Sequence, residues 1–289
     1  MMQWEMLRIP LCIALLAVLG APSAYAQSRA DALREKQVQL AGQLQHNAFG
    51  RPVVLASSDD GGTLRGDVHA ILEYPFAQVN ASLASPANWC DVLLLPFNVK
   101  GCEAQGDDVR LYIGRKSQSS LRDAVRVDFH FTRGEATAGL LEADLQAPAG
   151  PLGTHDYRIR FEAIPLDAKR TFVHLAYGYG YGALSRIAMQ AYLSTAGAAK
   201  VGFSSGSDGA LVGGMRGVLE RNTMRYFLAI EATLAAAGTP AADRPRQRME
   251  TWFRESERYP RQLHEMDRDE YLAMKERELQ PPSSRLAAR

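Results

Sequence analysis

The sequence predicts an α+β fold, an antiparallel sheet followed by one long amphipathic helix. Four segments between residues 109 and 163 alternate apolar and polar residues with a period of two, the mark of strands with one dry and one wet face. No helical pattern stands between them, which excludes a doubly wound parallel sheet. Met215 to Ala237 then repeats at helical spacing and ends at Gly238 and Pro240.

The elements follow in chain order. Leu7 to Ala26, LRIPLCIALLAVLGAPSAYA, is expected to be a cleaved leader. Arg8 supplies positive charge, Ile9 to Leu19 a short apolar core, and Ala24-Tyr25-Ala26 a small-x-small site with Gln27 beginning the mature chain. As a retained anchor the apolar run is too short to span well. Leu11 precedes Cys12 where a lipid-attachment cysteine wants a small residue. The expected destination is a bacterial periplasm. Three segments result: a leader over 1–26, a domain over 27–238 and a charged helical extension over 239–289.

Export changes the chemistry of the two remaining cysteines, Cys90 and Cys102. An even pair in an oxidising compartment points to a disulfide, contributing roughly 3 kcal/mol by restricting the unfolded chain. A metal pair or a redox pair lacks the CxxC spacing and the neighbouring histidines it needs.

Ser28 to Leu44 is rich in Ala, Leu, Glu, Lys and Gln and predicts a lead-in helix. Val53 to Ser57, the turn Asp59-Asp60-Gly61-Gly62 and the alternating Thr63 to Tyr74 predict a hairpin. Pro75 and Pro86 each open a short helix. The strands follow: Val109 to Ile113, Val125 to Phe131, Leu141 to Leu145, Tyr157 to Ala163, and the mixed segment Thr171 to Tyr181. Their wet face carries Arg126, Asp128, Glu142, Asp144, Arg158 and Arg160, mixed signs suited to cross-strand pairing in solvent. Ala183 to Thr195 predicts another short helix, and a glycine-rich stretch, 197–214, precedes the long one. On that helix Met215, Val218, Leu219, Asn222, Tyr226, Ala229, Ile230 and Thr233 share one face. Glu220, Arg221, Met224, Leu228 and Glu231 lie opposite. From Asp243 onward the chain holds 11 basic and 10 acidic residues with Trp252, Phe253, Tyr259 and Tyr271 among them. Those rings need burial, so the tail is expected to pack on the domain as helix, with Pro281 to Arg289 frayed.

Composition narrows the function classes. Of 289 residues, 46% are apolar and 22% charged, with a net charge of +1. This is globular composition, neither disordered nor that of a multi-span membrane protein. The charge balance gives no support to nucleic-acid binding.

This order of elements resembles the START-like (SRPBCC, helix-grip) superfamily over about Ala30 to Gly238. "GDVHAILEYPFAQVNASLASPANWC" looks like that family's first long strand and paired short helices, and "GMRGVLERNTMRYFLAIEATL" like its closing helix. The resemblance implies a curved antiparallel sheet wrapped around the long C-terminal helix, with a cavity for a lipid or other apolar small molecule. No cofactor, metal or catalytic signature goes with it. The helix over 183–195 and the charged tail depart from the pattern.

On that basis the candidate pocket takes Phe129, Phe131, Tyr157 and Phe161 from the sheet, with His174. Asn222, Arg225 and Tyr226 come from the helix. Each ring also fits an ordinary core. Asn222 interrupts an apolar face and needs partners, either within the protein or on a ligand. Arg225 suits a carboxylate or phosphate head group, or a surface salt bridge. His174 suits a structural role or a general base, since some relatives of the fold are cyclases. Gly202-Phe203-Ser204-Ser205-Gly206 matches GxSxG but lacks the strand before it and the helix after it, and reads better as a loop over the pocket mouth. Tyr177, Tyr179 and Tyr181 share one strand face, with glycines between them that permit bending of the sheet. Three functions follow: an exported carrier or sensor of an apolar ligand, an enzyme of cyclase or hydrolase type on the same fold, or an envelope interaction module. The last would dock a protein partner through an exposed Trp252–Phe253 patch. Any membrane contact is expected to be transient.

Overall fold

Eight strands form one antiparallel sheet in a computed structural model that describes residues 24–116, 120–134, 139–195, 197–206 and 208–287. The expected leader lies outside the described residues up to residue 23, and its expected cleavage bond falls in the first turn of α1 (Ala24–Gln39). α2 (Ala41–Gln45) follows, then the hairpin of β1 (Val53–Asp59) and β2 (Thr63–Leu72). Asp59 closes its turn by accepting the Gly61 N–H at 3.0 Å.

Pro75 leads into α3 (Phe76–Ser82) and Pro86 begins α4 (Pro86–Leu93), where the Ser85 hydroxyl caps the helix by accepting the Asn88 N–H. The rest of the sheet is β3 (Val99–Gln105), β4 (Asp108–Ile113), β5 (Val125–Arg133), β6 (Leu141–Ala149), β7 (Thr154–Pro165) and β8 (Thr171–Tyr181). The strand order is β1-β2-β8-β7-β6-β5-β4-β3. β8, the last strand in sequence, therefore enters between β2 and β7 and joins the N-terminal hairpin to the rest. β3 escapes the alternation pattern because its sequence, VKGCEAQ, is mostly polar, with a register shift between Val99 and Gly101. A disulfide between Cys90 on α4 and Cys102 on β3 ties this edge strand down, with Cα atoms 5.4 Å apart.

One sheet face packs on α6 (Gly214–Ala235), which follows α5 (Ala183–Leu193). The other face is partly covered by α1 and α2. Ala26, Ala30, Leu33, Leu40 and Leu44 form a second small core there with Ile164 and Phe172. The wet face is thus only partly wet: Asp144 is buried between Arg158 and Arg160.

α6 differs from its sequence pattern. The face expected to be polar is buried as well, including Glu220, Arg221, Met224 and Leu228. Glu220 is covered by Ser57 of β1 and the loop at Phe203–Ser204, and Arg221 by the tail, folded as α7 (Arg244–Ser256), α8 (Pro260–Leu263), α9 (Arg268–Glu278) and α10 (Pro282–Ala287). α7 lies along that second face, and the Trp252 indole donates to the Arg225 carbonyl at 3.0 Å. Trp252 also meets Phe97 and Tyr271 with ring centres 5.0 and 5.1 Å away. Burying rings of this size stabilises the contact by about 1.5–3 kcal/mol each. The expected exposed Trp252–Phe253 patch is therefore absent, since both residues are buried. The segment expected to fray is helical over 282–287, and Pro282 is buried.

The tail is also fastened by charge. The Lys275 ammonium donates to the carbonyls of Pro96 and Val99 at 2.7 and 2.8 Å and to Glu278 at 2.7 Å. Lys100 on β3 donates to the other Glu278 oxygen at 3.0 Å. Burial lowers the Lys275 pKa to about 8 although Glu278 pulls it upward.

Candidate functional site

The curved sheet and α6 enclose a cavity of about 180 Å³. β8 supplies Tyr177 and Tyr179, β7 supplies Tyr157, β5 supplies Val127 and Phe129, and α6 supplies Val218, Asn222 and Tyr226. Alternation explains why these residues meet: positions two apart on a strand share a face, and i, i+4 on a helix share another. Tyr157 stacks on Tyr179 with ring centres 5.0 Å apart, and Tyr177 meets Tyr226 edge-on at 5.1 Å. Burial raises the phenol pKa values of Tyr177, Tyr179 and Tyr226, so the wall is neutral at physiological pH.

A larger compartment of about 570 Å³ abuts this cavity and shares Asn98, Leu152, Met189, Val218 and Asn222 with it. Its remaining lining sets five cations, Arg115, Lys116, Lys200, Arg221 and Arg225, beside Phe97, Ala188 and Tyr192. One carboxylate, Glu265 from the loop between α8 and α9, meets most of this charge. It accepts from Lys200 at 2.8 Å and from Arg225 at 2.9 Å, and it also pairs with Arg221 and Lys116. Against the burial that opposes its charge, these cations lower the Glu265 pKa to about 2. Burial, reinforced by the neighbouring charge of Arg225, lowers that of Arg221 to about 10. α5 lies beside the compartments, with Ser185 donating to the Leu152 carbonyl at 2.8 Å. It leaves Leu184 and Ile187 exposed to solvent, and Leu152 is exposed as well.

The sequence-predicted residues divide into four groups. Phe129, Tyr157, Asn222 and Tyr226 line the inner cavity. Phe131 and Phe161 lie outside it in the closed core, where Phe161 meets Trp89 edge-on. Arg225 lines the outer compartment instead of forming a surface pair, and Asn222 accepts its guanidinium at 3.4 Å.

His174 is elsewhere. It points to the opposite face of the sheet, beneath α1, where its ring nitrogens lie 2.7 Å from Asp67 and 2.9 Å from Glu162. Burial works against its positive charge, but those two carboxylates outweigh it and raise its pKa. Arg29 of α1 completes the cluster by pairing with Glu162. His69 stacks on His174 at 4.3 Å and, buried beside that charge, has its pKa lowered to about 3. A histidine with both nitrogens engaged by carboxylates has no lone pair for a general base.

The GxSxG motif is also placed. Its residues form a loop in which Ser205 bridges to Leu211, and the backbone N–H groups of Phe203 and Ser204 donate to buried Glu220. Ser207, directly after the motif, lies outside the described residues. The flanks of Ser204 are therefore not the strand and helix of a nucleophile elbow. Among the described residues no group of three His, Cys, Asp or Glu side chains could hold a metal, and no described helix is long and apolar enough to cross a membrane.

An antiparallel sheet curving over one long helix, with a cavity between them, decides the architecture. The fold is a helix grip. No protein-family model matches the chain, and no curated protein does. Solved structures of similar chain path include a conserved protein from Geobacillus kaustophilus (13% identity, 60% of this chain and 95% of that one, TM-score 0.35). Another is an aromatase/cyclase from a Streptomyces species (17%, 62% and 98%, TM-score 0.33). A third is human StAR-related lipid transfer protein 5 (12%, 59% and 90%, TM-score 0.30). The fold assignment rests on the strand order and the gripped helix.

Glu265 and the Lys100–Lys275–Glu278 cluster went unseen in the sequence. Glu265 sits in a charged tail where nothing in the pattern marks one carboxylate from its neighbours. Lys275 and Glu278 do have the i, i+3 spacing of a helical pair, but so do many exposed pairs.

Proposed function

We propose that the chain is an exported, periplasmic carrier or sensor that holds a lipid or other apolar small molecule between sheet and helix. The observation that carries this is the inner cavity itself, where Tyr157, Tyr177, Tyr179 and Tyr226 line open space instead of closing it. Binding energy would come from apolar burial at about 25 cal/mol per Å², with the few polar groups fixing orientation. The exposed Leu184 and Ile187 of α5, next to the compartments, support a transient membrane contact for loading. The leader pattern of residues 7–26 supports export.

The test is extraction of protein purified from its native host, followed by mass spectrometry of the organic phase. A stoichiometric apolar molecule is expected, and Val127→Trp, which fills the cavity, should reduce its yield several-fold without loss of the folded protein. An empty extract from native protein would overturn the proposal. N-terminal sequencing of the periplasmic fraction should begin at Gln27.

A further inference from the structure

The two compartments differ in chemistry along one line. The inner one is walled mainly by aromatic and aliphatic side chains, and the outer one adds five cations to a partly apolar wall; they share five lining residues. A purely apolar ligand would leave the cations of the outer part without a partner of opposite charge beyond Glu265. Around the outer part, Lys116, Lys200, Arg221 and Arg225 face the lone carboxylate of Glu265, which leaves three positive charges in excess at that cluster.

Arg225 shows where an anion would be recognised. The residue is only 8% exposed and lines the outer compartment. One edge of its guanidinium meets Glu265 and Asn222, and its face covers Phe97 at 5.5 Å. Its Nε–H is buried and has no hydrogen-bond partner among the described residues. Buried donors are normally satisfied, and a guanidinium presents its donors in a fork that matches carboxylate and phosphate oxygens. Asn222, shared by both compartments, stands at their junction.

We propose that the ligand is an anionic amphiphile, its chain against the tyrosine wall and its carboxylate or phosphate head among Arg225, Arg221 and Lys200. This rests on the inner cavity being a ligand site. Glu265, brought in by the C-terminal extension, neutralises part of the same cationic cluster, so an incoming head group competes with it for donors. The extension thereby sets how tightly an anion is held.

The experiment is calorimetric titration of the mature full-length chain with decanoate, decyl phosphate, decanol and inorganic phosphate. Decanoate or decyl phosphate should bind at least about tenfold tighter than decanol, the scale of one charge-assisted pair. Glu265→Gln should strengthen the charged ligand. Lys200→Ala, at a partly exposed position, should narrow the ratio of charged to neutral binding even if a variant at buried Arg225 or Glu265 fails to fold. Equal binding of decanoate, decyl phosphate and decanol would overturn the head-group assignment and leave the apolar cavity standing. Inorganic phosphate binding as tightly as decyl phosphate would make this a free-anion site and overturn the amphiphile. Failure of all three ten-carbon ligands would overturn the cavity reading on which the proposal depends.

Discussion

Replacing Glu278 by Gln should loosen the C-terminal extension from the sheet more than any exposed charge change in the tail. Glu278 is the carboxylate between the ammonium groups of Lys100 and Lys275, at 3.0 and 2.7 Å, and both lysines are 1% exposed. The amide keeps the shape but leaves two buried cations facing each other without a counter-charge. Removing one partner of a buried ion pair costs about 3–5 kcal/mol, because the remaining charge stays desolvated. The remaining hydrogen bonds of Lys275 to Pro96 and Val99, and of Lys100 to Lys116, hold the loss to the lower half of that range. With a urea slope of about 3 kcal/mol per M for a chain of this size, a loss of ~3 kcal/mol lowers the midpoint by about 1 M. Urea unfolding followed by tryptophan fluorescence reads this directly, since Trp252 belongs to the extension and is buried where it packs on the domain. The control is Glu250→Gln, whose partners Arg246 and Arg268 are each more than half exposed. That pair should contribute less than about 1 kcal/mol. A midpoint for Glu278→Gln no lower than that of Glu250→Gln would refute the claim that the cluster fastens the tail.

Three further outcomes are expected. His174 has its pKa raised above the ordinary 6.5 by Asp67 and Glu162 against the effect of burial, so its stabilising contribution is fully present below pH 6.5 and lost as pH rises through the raised value. His69, lowered to about 3, works in the opposite sense below 6.5. Urea titrations above pH 6.5 should therefore show a fall in stability for the wild type that His174→Gln lacks, and parallel slopes would contradict the charge assignment. Reduction of Cys90–Cys102, twelve residues apart, should cost about 3 kcal/mol and lower the melting temperature measured by calorimetry; an unchanged value would show that α4 and β3 hold each other without it. Gly178→Ala would place a Cβ 2.7 Å from the Leu64 carbonyl oxygen of the neighbouring strand and should destabilise by about 1–3 kcal/mol. Gly62→Ala, with open space around it, should not, and the two thermal melts compared side by side check this.

What the sequence determined by itself is local. Period-two alternation placed β4 to β7, because a strand with one dry face repeats every second residue. Prolines and the Asp-Asp-Gly-Gly turn placed the short helices and the hairpin, because those residues restrict the backbone wherever they occur. The same alternation put Phe129 and Tyr157 on the cavity side, and helical spacing put Asn222 and Tyr226 opposite them. Tertiary structure decided everything that depends on which surfaces meet. α6 carries enough charge on its second face to read as solvated, yet the tail, β1 and the loop at Phe203–Ser204 bury it and Glu265 answers its arginines. His174 lies on a strand covered on both faces, so periodicity could not say which side it takes, and α1 brought Arg29 to the side it did. The outer compartment joins cations from three separated stretches of chain, Arg115–Lys116, Lys200 and Arg221–Arg225, to the carboxylate of Glu265 in the tail. Side chains that far apart in sequence acquire a common electrostatic role only when the fold removes water from between them, which is a property of packing and not of any one segment.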